Sequence, residues 1–263
     1  MASDIPTSDA ELNEVLRALV AGAQGVLGTN FVAAYLQGSF AVGEWDRDSD
    51  VDFLIAMQRD VTEEELPALQ ALHARLYQLP SHWARHLEGS YMPVDILRRA
   101  GETRHPVLFL DNTSQMLARS VHDDTRVVRW VVREHGITLA GPAPDTMIDP
   151  VAADDLRREV RANMRDWAGE IWAQRYRIDN RWAWPFAVLS YCRMLHTLET
   201  GRIESKRAGA RWARGALDPR WADLIRRAEG ERPDPSTKVR QPADPRDLAE
   251  TLEFIEYALG MAT

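Results

Sequence analysis

Two aspartates separated by one residue open an apolar run: Asp50-Val51-Asp52 leads into Phe53-Leu54-Ile55-Ala56. Alternate side chains of a strand share a face, so these carboxylates point the same way, close enough to hold one or two divalent cations. Mg²⁺ suits such a pair, because it takes few carboxylates and fills its other positions with water and substrate phosphates. Two such ions stabilise both the attacking and the leaving oxygen of a phosphoryl displacement. Upstream, a second apolar run, FVAAYLQ (31–37), stops at Gly38-Ser39. A glycine there lets the backbone approach a triphosphate closely, N–H groups near a helix start favour an anion, and Ser39 adds a hydroxyl donor. An isolated Asp-x-Asp is ordinarily a solvated loop or a cap. Here both acids head an apolar strand, just after a Gly-Ser turn that ends another.

The segment YLQGSFAVGEWDRDSDVDFLI (35–55) resembles the signature of the DNA polymerase β-like nucleotidyltransferase superfamily: an apolar residue, Gly-Ser, a short intervening stretch, then Asp-x-Asp between apolar positions. Within that superfamily the chain is similar to the aminoglycoside adenylyltransferases that modify streptomycin and spectinomycin. The likeness runs through HLEGSYMP (86–93), REHGITLAGPAPDTMIDPV (133–151), CRMLHTLETGRIESK (192–206) and WARGALDPRWADLI (212–225). It implies an α+β nucleotidyltransferase domain, a mixed sheet with helices, over residues 1–150. An all-helical bundle over 151–263 would follow, with ATP and substrate bound between the two. It also implies transfer of AMP from ATP to a hydroxyl of a small acceptor, with pyrophosphate leaving.

Carried over by position, the resemblance makes Asp50 and Asp52 the Mg²⁺ ligands, and Gly38, Ser39 and Ser49 neighbours of the triphosphate or metal. Glu88, in Leu87-Glu88-Gly89, falls where the family keeps its catalytic base, and a carboxylate beside the acceptor hydroxyl is suited to take its proton. Taken without the family, Glu88 reads as a surface strand acid, and Asp95 is a rival third carboxylate, less favoured because Pro93 adjoins it. Arg193 and Lys206 fall where family cations reach the nucleotide phosphates, one as a fixed fork and the other as a mobile point charge. On the acceptor side, streptomycin-modifying members use a Trp after the catalytic strand and an Asp entering the central helix of the second domain. Here those regions read LFLDNTSQ (108–115), without Trp, and Ala183. Asp179 is nearby, and Trp172, Trp182 and Trp184 are candidates to line a cleft, although aromatics at such spacing usually pack a core. These departures point away from streptomycin and leave spectinomycin, or an unrelated hydroxyl compound, as acceptor.

The elements that must position these residues follow from periodicity. Ser8 and Glu11 fit a capping box before a helix carrying Leu12, Val15, Leu16, Leu19 and Val20, expected to fray near Gly22 and Gly25. DVDFLIAM (50–57) and HLEGSYMPVDIL (86–97) read as strands, and 62–79 and 124–135 as helices. The mixture indicates an α/β or α+β domain. GPAPDTMIDP (141–150), rich in proline, reads as a linker. Beyond it, 152–176, 185–199, 206–216, 218–230 and 244–259 read as helices, and ERPDPSTKVRQPADP (231–245) as an exposed loop.

Composition narrows the function. The 263 residues are 45% hydrophobic and 27% charged, ordinary for a globular chain, with a formal net charge of -8. That balance lacks the basic footprint of a nucleic-acid binder and favours a cationic small molecule. The single cysteine, Cys192, cannot form an internal disulfide. An acidic N-terminus does not read as a signal peptide and no run reaches a membrane span, so a cytoplasmic monomer is expected. GxxxxGK[ST] and GxGxxG are absent. His82 and His86 lack a third ligand at zinc spacing and read as a solvated pair. Two other functions share the motif: AMPylation of a protein side chain, and a non-catalytic nucleotide sensor. Retention of both aspartates and of Glu88 argues against the latter.

Overall fold

A computed structural model describes residues 6–232 and 235–262. It divides into two compact units, Met1–Val151 and Ala152–Thr263.

The first unit is built on a six-stranded sheet of order β5-β4-β3-β2-β1-β6. Its strands are β1 (Phe31–Leu36), β2 (Val51–Met57), β3 (Leu87–Pro93), β4 (Val107–Leu110), β5 (Leu117–Ser120) and β6 (Ile137–Ala140). Only β2 and β3 pair in parallel. A parallel pair needs a long crossover, which here contains the helix Glu65–Tyr77. The central strands β2, β3 and β4 are buried along nearly their whole length, which is why they read as continuous apolar runs rather than alternating ones. Val51, Phe53, Ile55 and Met57 join one core with the helices Ala10–Leu27 and Glu65–Tyr77; Leu54 and Ala56 join the opposite core with Met92, Leu97 and Val132. Asp52 therefore lies on this second face.

Several expectations change in detail. The cap of the first helix, α1 (Ala10–Leu27), is Asp9 rather than Ser8, its carboxylate accepting from Leu12 N at 2.9 Å. Glu11 instead accepts from the backbone N–H of His82 at 3.0 Å. The helix does not fray at Gly22, because a side chain there would collide with Leu72 of the helix at Glu65–Tyr77; the glycine permits close packing. The sheet segment at 86–97 ends at Pro93, and Val94–Arg98 is a short helix with Asp95 exposed in its first turn. Asp95 thus sits on a helix rather than on the strand that carries Glu88. The proline-rich segment 141–150 is packed rather than free. Pro142 O accepts from Tyr35 Oη at 2.9 Å, Ile148 is buried, and Arg98 and Arg99 both pair with Asp149. An internal ion pair completes this face: Arg129, fully buried, binds Asp124 and donates to Ile96 O, Leu97 O and Thr125 O.

The second unit is helical among its described residues, with α7 (Ala153–Trp172), α8 (Ala183–Thr200), α9 (Lys206–Ala216), α10 (Ala222–Glu231), α11 (Pro235–Lys238) and α12 (Pro245–Met261); α2 to α6 are Gly38–Ala41, Glu65–Tyr77, Val94–Arg98, Arg126–His135 and Pro144–Met147. Helix α8 is central and carries the buried Trp184, Tyr191 and Cys192. Its end is set by Gly201, left-handed at φ 69°, whose N–H bonds to Thr197 O. The segment 231–245 is exposed in most of its described residues, yet it is tied to 179–181 by Arg181 N to Gln241 O and Ala243 N to Asp179 O, both 2.9 Å. No helix of the described residues is long and apolar enough to cross a membrane.

Candidate active site

The end of β1, the starts of β2 and β3 and the end of β4 meet on one edge of the sheet. At the end of β1, Gln37 N donates to Asp52 O at 2.8 Å, and the chain turns away at Gly38 with φ 63°. That left-handed conformation suits glycine. A Cβ at Gly38 would overlap the Asp52 carboxylate, so the turn and the carboxylate share one space. Beside it the Ser39 Oγ is buried with no hydrogen-bond partner among the described residues. A buried hydroxyl left so is costly unless a further group binds it.

The loop before β2 is closed on itself. Ser49, 4% exposed, donates its hydroxyl to Asp46 at 3.2 Å and accepts from Asp46 N at 2.9 Å. Its side chain thereby fixes the approach of the chain to Asp50 and Asp52. Val51 N then bonds to His86 O, which registers β2 against the entry to β3.

Parallel pairing sets Asp52 opposite Glu88. Antiparallel pairing of Gly89 with Leu110 brings Asp111 to the end of the same row. Asp123 closes it from the next turn, accepting from Ser90 Oγ at 2.7 Å, and His122 stacks on Phe109 with Nε2 3.8 Å from Glu88 Oε1. Burial, reinforced by Asp52, Asp50, Asp123 and Asp111, pushes Glu88 up to about 9. Burial likewise raises Asp123, opposed by its bond from Ser90.

Asn112, in the loop after β4, donates its amide to Asp50 Oδ1 and meets His86 Nδ1 through its Oδ1 at 3.2 Å. Burial and the adjacent His82 hold His86 below the ordinary histidine value. His86 is thus part of the site's edge rather than one of a solvated pair. Sequence reasoning missed Asn112, Asp123 and His122. The only signal was the polar run His122-Asp123-Asp124-Thr125 following a strand, which is indistinguishable in sequence from an ordinary turn.

This donor set fits a hard divalent cation. Two carboxylates stand on one strand edge beside a turn that a Cβ would fill, and burial, with the nearby acids, raises Glu88. Among the described residues no three His, Cys, Asp or Glu side chains are already closed around one ion. Asp50 and Asp52 offer hard oxygen donors of the kind such a cation takes.

In the second unit, Lys206 is the first residue of α9, its Nζ 4.3 Å from the centre of the Phe186 ring. Phe186 stacks on Trp182, and Trp167 packs edge-on against Phe186 and Tyr176. Arg193 is half-buried on α8 where Gly209 of α9 crosses; a Cβ on Gly209 would stand 2.6 Å from Arg193 Cα. Asp179 is paired with Arg177, which holds its carboxyl below the usual range. A cleft of about 380 Å³ is lined by residues including Arg181, Trp184, Glu231, Asp244 and Asp247, but its acids are engaged: Glu231 by Arg181, Asp247 by Arg227 and Asp244 by the backbone N–H of Arg246. Trp172 is exposed at the end of α7, apart from that lining.

Two family models match this chain: a nucleotidyltransferase domain over residues 28–127, and the aminoglycoside adenylyltransferase C-terminal domain over residues 146–258. Together they give this chain a nucleotidyltransferase domain followed by the C-terminal domain of the aminoglycoside adenylyltransferases. The order of the two models along this adenylyltransferase follows its α+β and helical units. An aminoglycoside (3'') (9) adenylyltransferase of Shigella flexneri is 24% identical over 269 residues, covering 97% of this chain and 96% of the relative. One of Escherichia coli is 24% identical over 273 residues, with the same coverage. The fold is similar to that of the spectinomycin adenyltransferase AAD(9) from Enterococcus faecialis, solved with ATP and spectinomycin. The TM-score is 0.68 at 14% identity, over 95% of this chain and 98% of that one.

Proposed function

We propose that this adenylyltransferase transfers AMP from ATP to a hydroxyl of a cationic aminocyclitol, with spectinomycin the first candidate. The observation that carries this reading is the facing pair Asp52 and Glu88 beside the Gly38 turn. Asp50 and Asp52 would hold the divalent cation, Mg²⁺, which when bound would neutralise charge on the triphosphate and favour the ionised form of Glu88. The Gly38 backbone and the Ser39 hydroxyl receive phosphate oxygens, and Ser49 keeps the carboxylate loop in place. Glu88 takes the proton of the acceptor hydroxyl as its oxygen bonds to the α-phosphorus. The bond from that phosphorus to the bridging oxygen breaks, and pyrophosphate leaves. Residues 1–150 supply this chemistry. Residues 151–263 contribute Arg193 and Lys206 to the phosphates, and Asp179 and Trp182 to the acceptor.

The acceptor assignment is supported by the names of the relatives and by two departures from the streptomycin pattern, the lack of a Trp in LFLDNTSQ (108–115) and Ala183 at the head of α8. An acidic chain of net charge -8 suits a cationic substrate, and cytoplasmic, monomeric action on a small molecule fits the composition.

The test is pyrophosphate release with ATP and Mg²⁺ over a panel of aminocyclitols and aminoglycosides, with mass spectrometry of each acceptor. An AMP adduct on spectinomycin, lost in Asp50→Ala with the fold intact, is the expected result. Wild-type turnover by Asp50→Ala would overturn the site. AMP appearing only on proteins of a cell extract would replace the acceptor.

A further inference from the structure

The carboxylate of Asp50 is not left to position itself. Asn112 Nδ2 donates to Asp50 Oδ1, and the amide's own oxygen meets Nδ1 of His86 at 3.2 Å. Reversing the amide would set its oxygen against the Asp50 carboxylate, so Asp50 fixes its orientation, and the Asn112 Oδ1 then facing His86 is matched by the tautomer with its proton on Nδ1. The anchor is itself held. The His86 ring packs 4.6 Å from that of His82, whose Nε2 meets Arg47 O at 2.7 Å on the loop that carries Asp50. The turn presenting Asn112 is also strained. Ser114 N closes it onto Asp111 O at 2.9 Å, and Thr113 adopts φ 64°, a left-handed conformation unfavourable for a β-branched residue. Such strain persists where surrounding contacts over-determine it, and here those contacts converge on Asn112.

From this arrangement we infer that Asn112, anchored by His86, is a positioning residue that presents Asp50 to the divalent cation of the metal–nucleotide complex. This rests on the proposed role of Asp50 as a metal carboxylate. A neutral donor suits the place. A Lys or Arg there would compete with the cation for Asp50, and an Asp or Glu would add one more charge to a row already holding Asp50, Asp52, Glu88, Asp111 and Asp123. Partners of this kind, one bond behind the ligand, commonly change metal affinity or activity by about 10–100-fold.

The experiment titrates Mn²⁺ into the full-length protein with and without α,β-methylene-ATP, reading free Mn²⁺ by electron paramagnetic resonance. Wild type, Asn112→Ala, Asn112→Asp and Asp50→Ala are compared. Asn112→Ala is expected to weaken Mn²⁺ binding about tenfold or more. In turnover it should raise the Mg²⁺ concentration for half-maximal rate while saturating Mg²⁺ restores kcat, a split that a merely structural defect would not produce. If Asn112→Ala melts early, His86→Phe, which leaves the amide in place but unanchored, is expected to give the same weakening in smaller measure. Wild-type Mn²⁺ affinity in folded Asn112→Ala and His86→Phe, with Asp50→Ala defective, would overturn the inference and leave the reading of Asp50 standing. Wild-type affinity in Asp50→Ala would overturn both.

Discussion

Glu88 stands opposite Asp52 in the parallel pairing of β2 and β3, and the charges that act on it are those of Asp52, Asp50, Asp123 and Asp111. With its carboxyl pushed up to about 9, Glu88 holds a proton at neutral pH. A base in that state cannot accept another. Burial is the largest cause of that rise, and positive charge beside Asp50 and Asp52 would lower the value by offsetting the repulsion that adds to it. In the proposed mechanism the proton on Glu88 and the charge held at Asp50 and Asp52 are therefore coupled.

The pH–rate profile should show this coupling. The acidic limb of kcat/KM reports ionisation of the base in the free enzyme. Lowering Mg²⁺ from saturating to limiting is expected to move that limb alkaline, toward about 9. Glu88→Gln should remove the limb and lower kcat by roughly 10²–10⁴-fold. A limb that stays in place as Mg²⁺ falls would separate Glu88 from the cation.

The same carboxyl makes the metal-free fold sensitive to pH. Its folded value is raised from 4.5 to about 9, so the folded state keeps a proton that the unfolded chain gives up. The associated stability is fully present below 4.5 and is lost as pH rises toward about 9, at up to ~1.4 kcal/mol per pH unit within that window. Glu88→Gln, which cannot ionise, is expected to melt progressively higher than wild type across this range in the absence of divalent cation. Thermal melts at several pH values, with and without Mg²⁺, check it; the gap should narrow when Mg²⁺ is added.

How much of this was legible in sequence depended on distance along the chain. The Asp50-Val51-Asp52 head of β2 and the Gly38 turn are local, and period-2 alternation with an apolar run suffices to place them. The facing of Asp52 and Glu88 is a long-range register that no local pattern encodes. Asn112 lies 62 residues from Asp50 and 26 from His86, so its amide looked like part of a polar loop and His86 like half of a solvated pair. Strands β4 to β6 span four residues each, too short for alternation to register, and β6 is half-buried throughout. The cap of α1 slipped by one residue because Ser8 and Asp9 both satisfy the cap chemistry. The proline-rich 141–150 resembled a linker by composition, while Tyr35, Arg98 and Arg99 supply the contacts that pack it.

Gly38→Ala tests the shared space of the turn and the carboxylate. The added methyl meets Asp52 and must also accept φ 63°. The left-handed conformation alone costs about 1–2 kcal/mol for an L-residue. Displacing Asp52 costs more in turnover than in stability, because a cation ligand and the facing acid of Glu88 move together. A drop in melting temperature of a few degrees, with kcat/KM for ATP down by about 10²-fold or more, is expected. Assay and melt on the same preparation decide it; near wild-type turnover would mean that the strand end tolerates a shifted Asp52.

Arg129 and Asp124 give the last prediction. Both side chains are essentially removed from solvent, at 1% and 2% exposure, and the guanidinium also satisfies Ile96 O, Leu97 O and Thr125 O. Removing one member of such a pair strands the other charge in the interior, at about 3–5 kcal/mol, whereas replacing both with apolar groups of similar size is often far cheaper. Arg129→Met should thus destabilise the first unit strongly, and Arg129→Met with Asp124→Leu should recover part of the loss. The recovery stays incomplete because the three carbonyls lose their donors and Asp124 also accepts from His105 N at 2.5 Å. Asp124 adjoins Asp123, which bonds Ser90 in the row containing Glu88. The double variant is therefore expected to regain stability more fully than turnover. Chemical denaturation of the two variants, followed by near-ultraviolet circular dichroism alongside adenylylation rates, distinguishes this from a pair that only holds the fold, for which rate and stability would recover together.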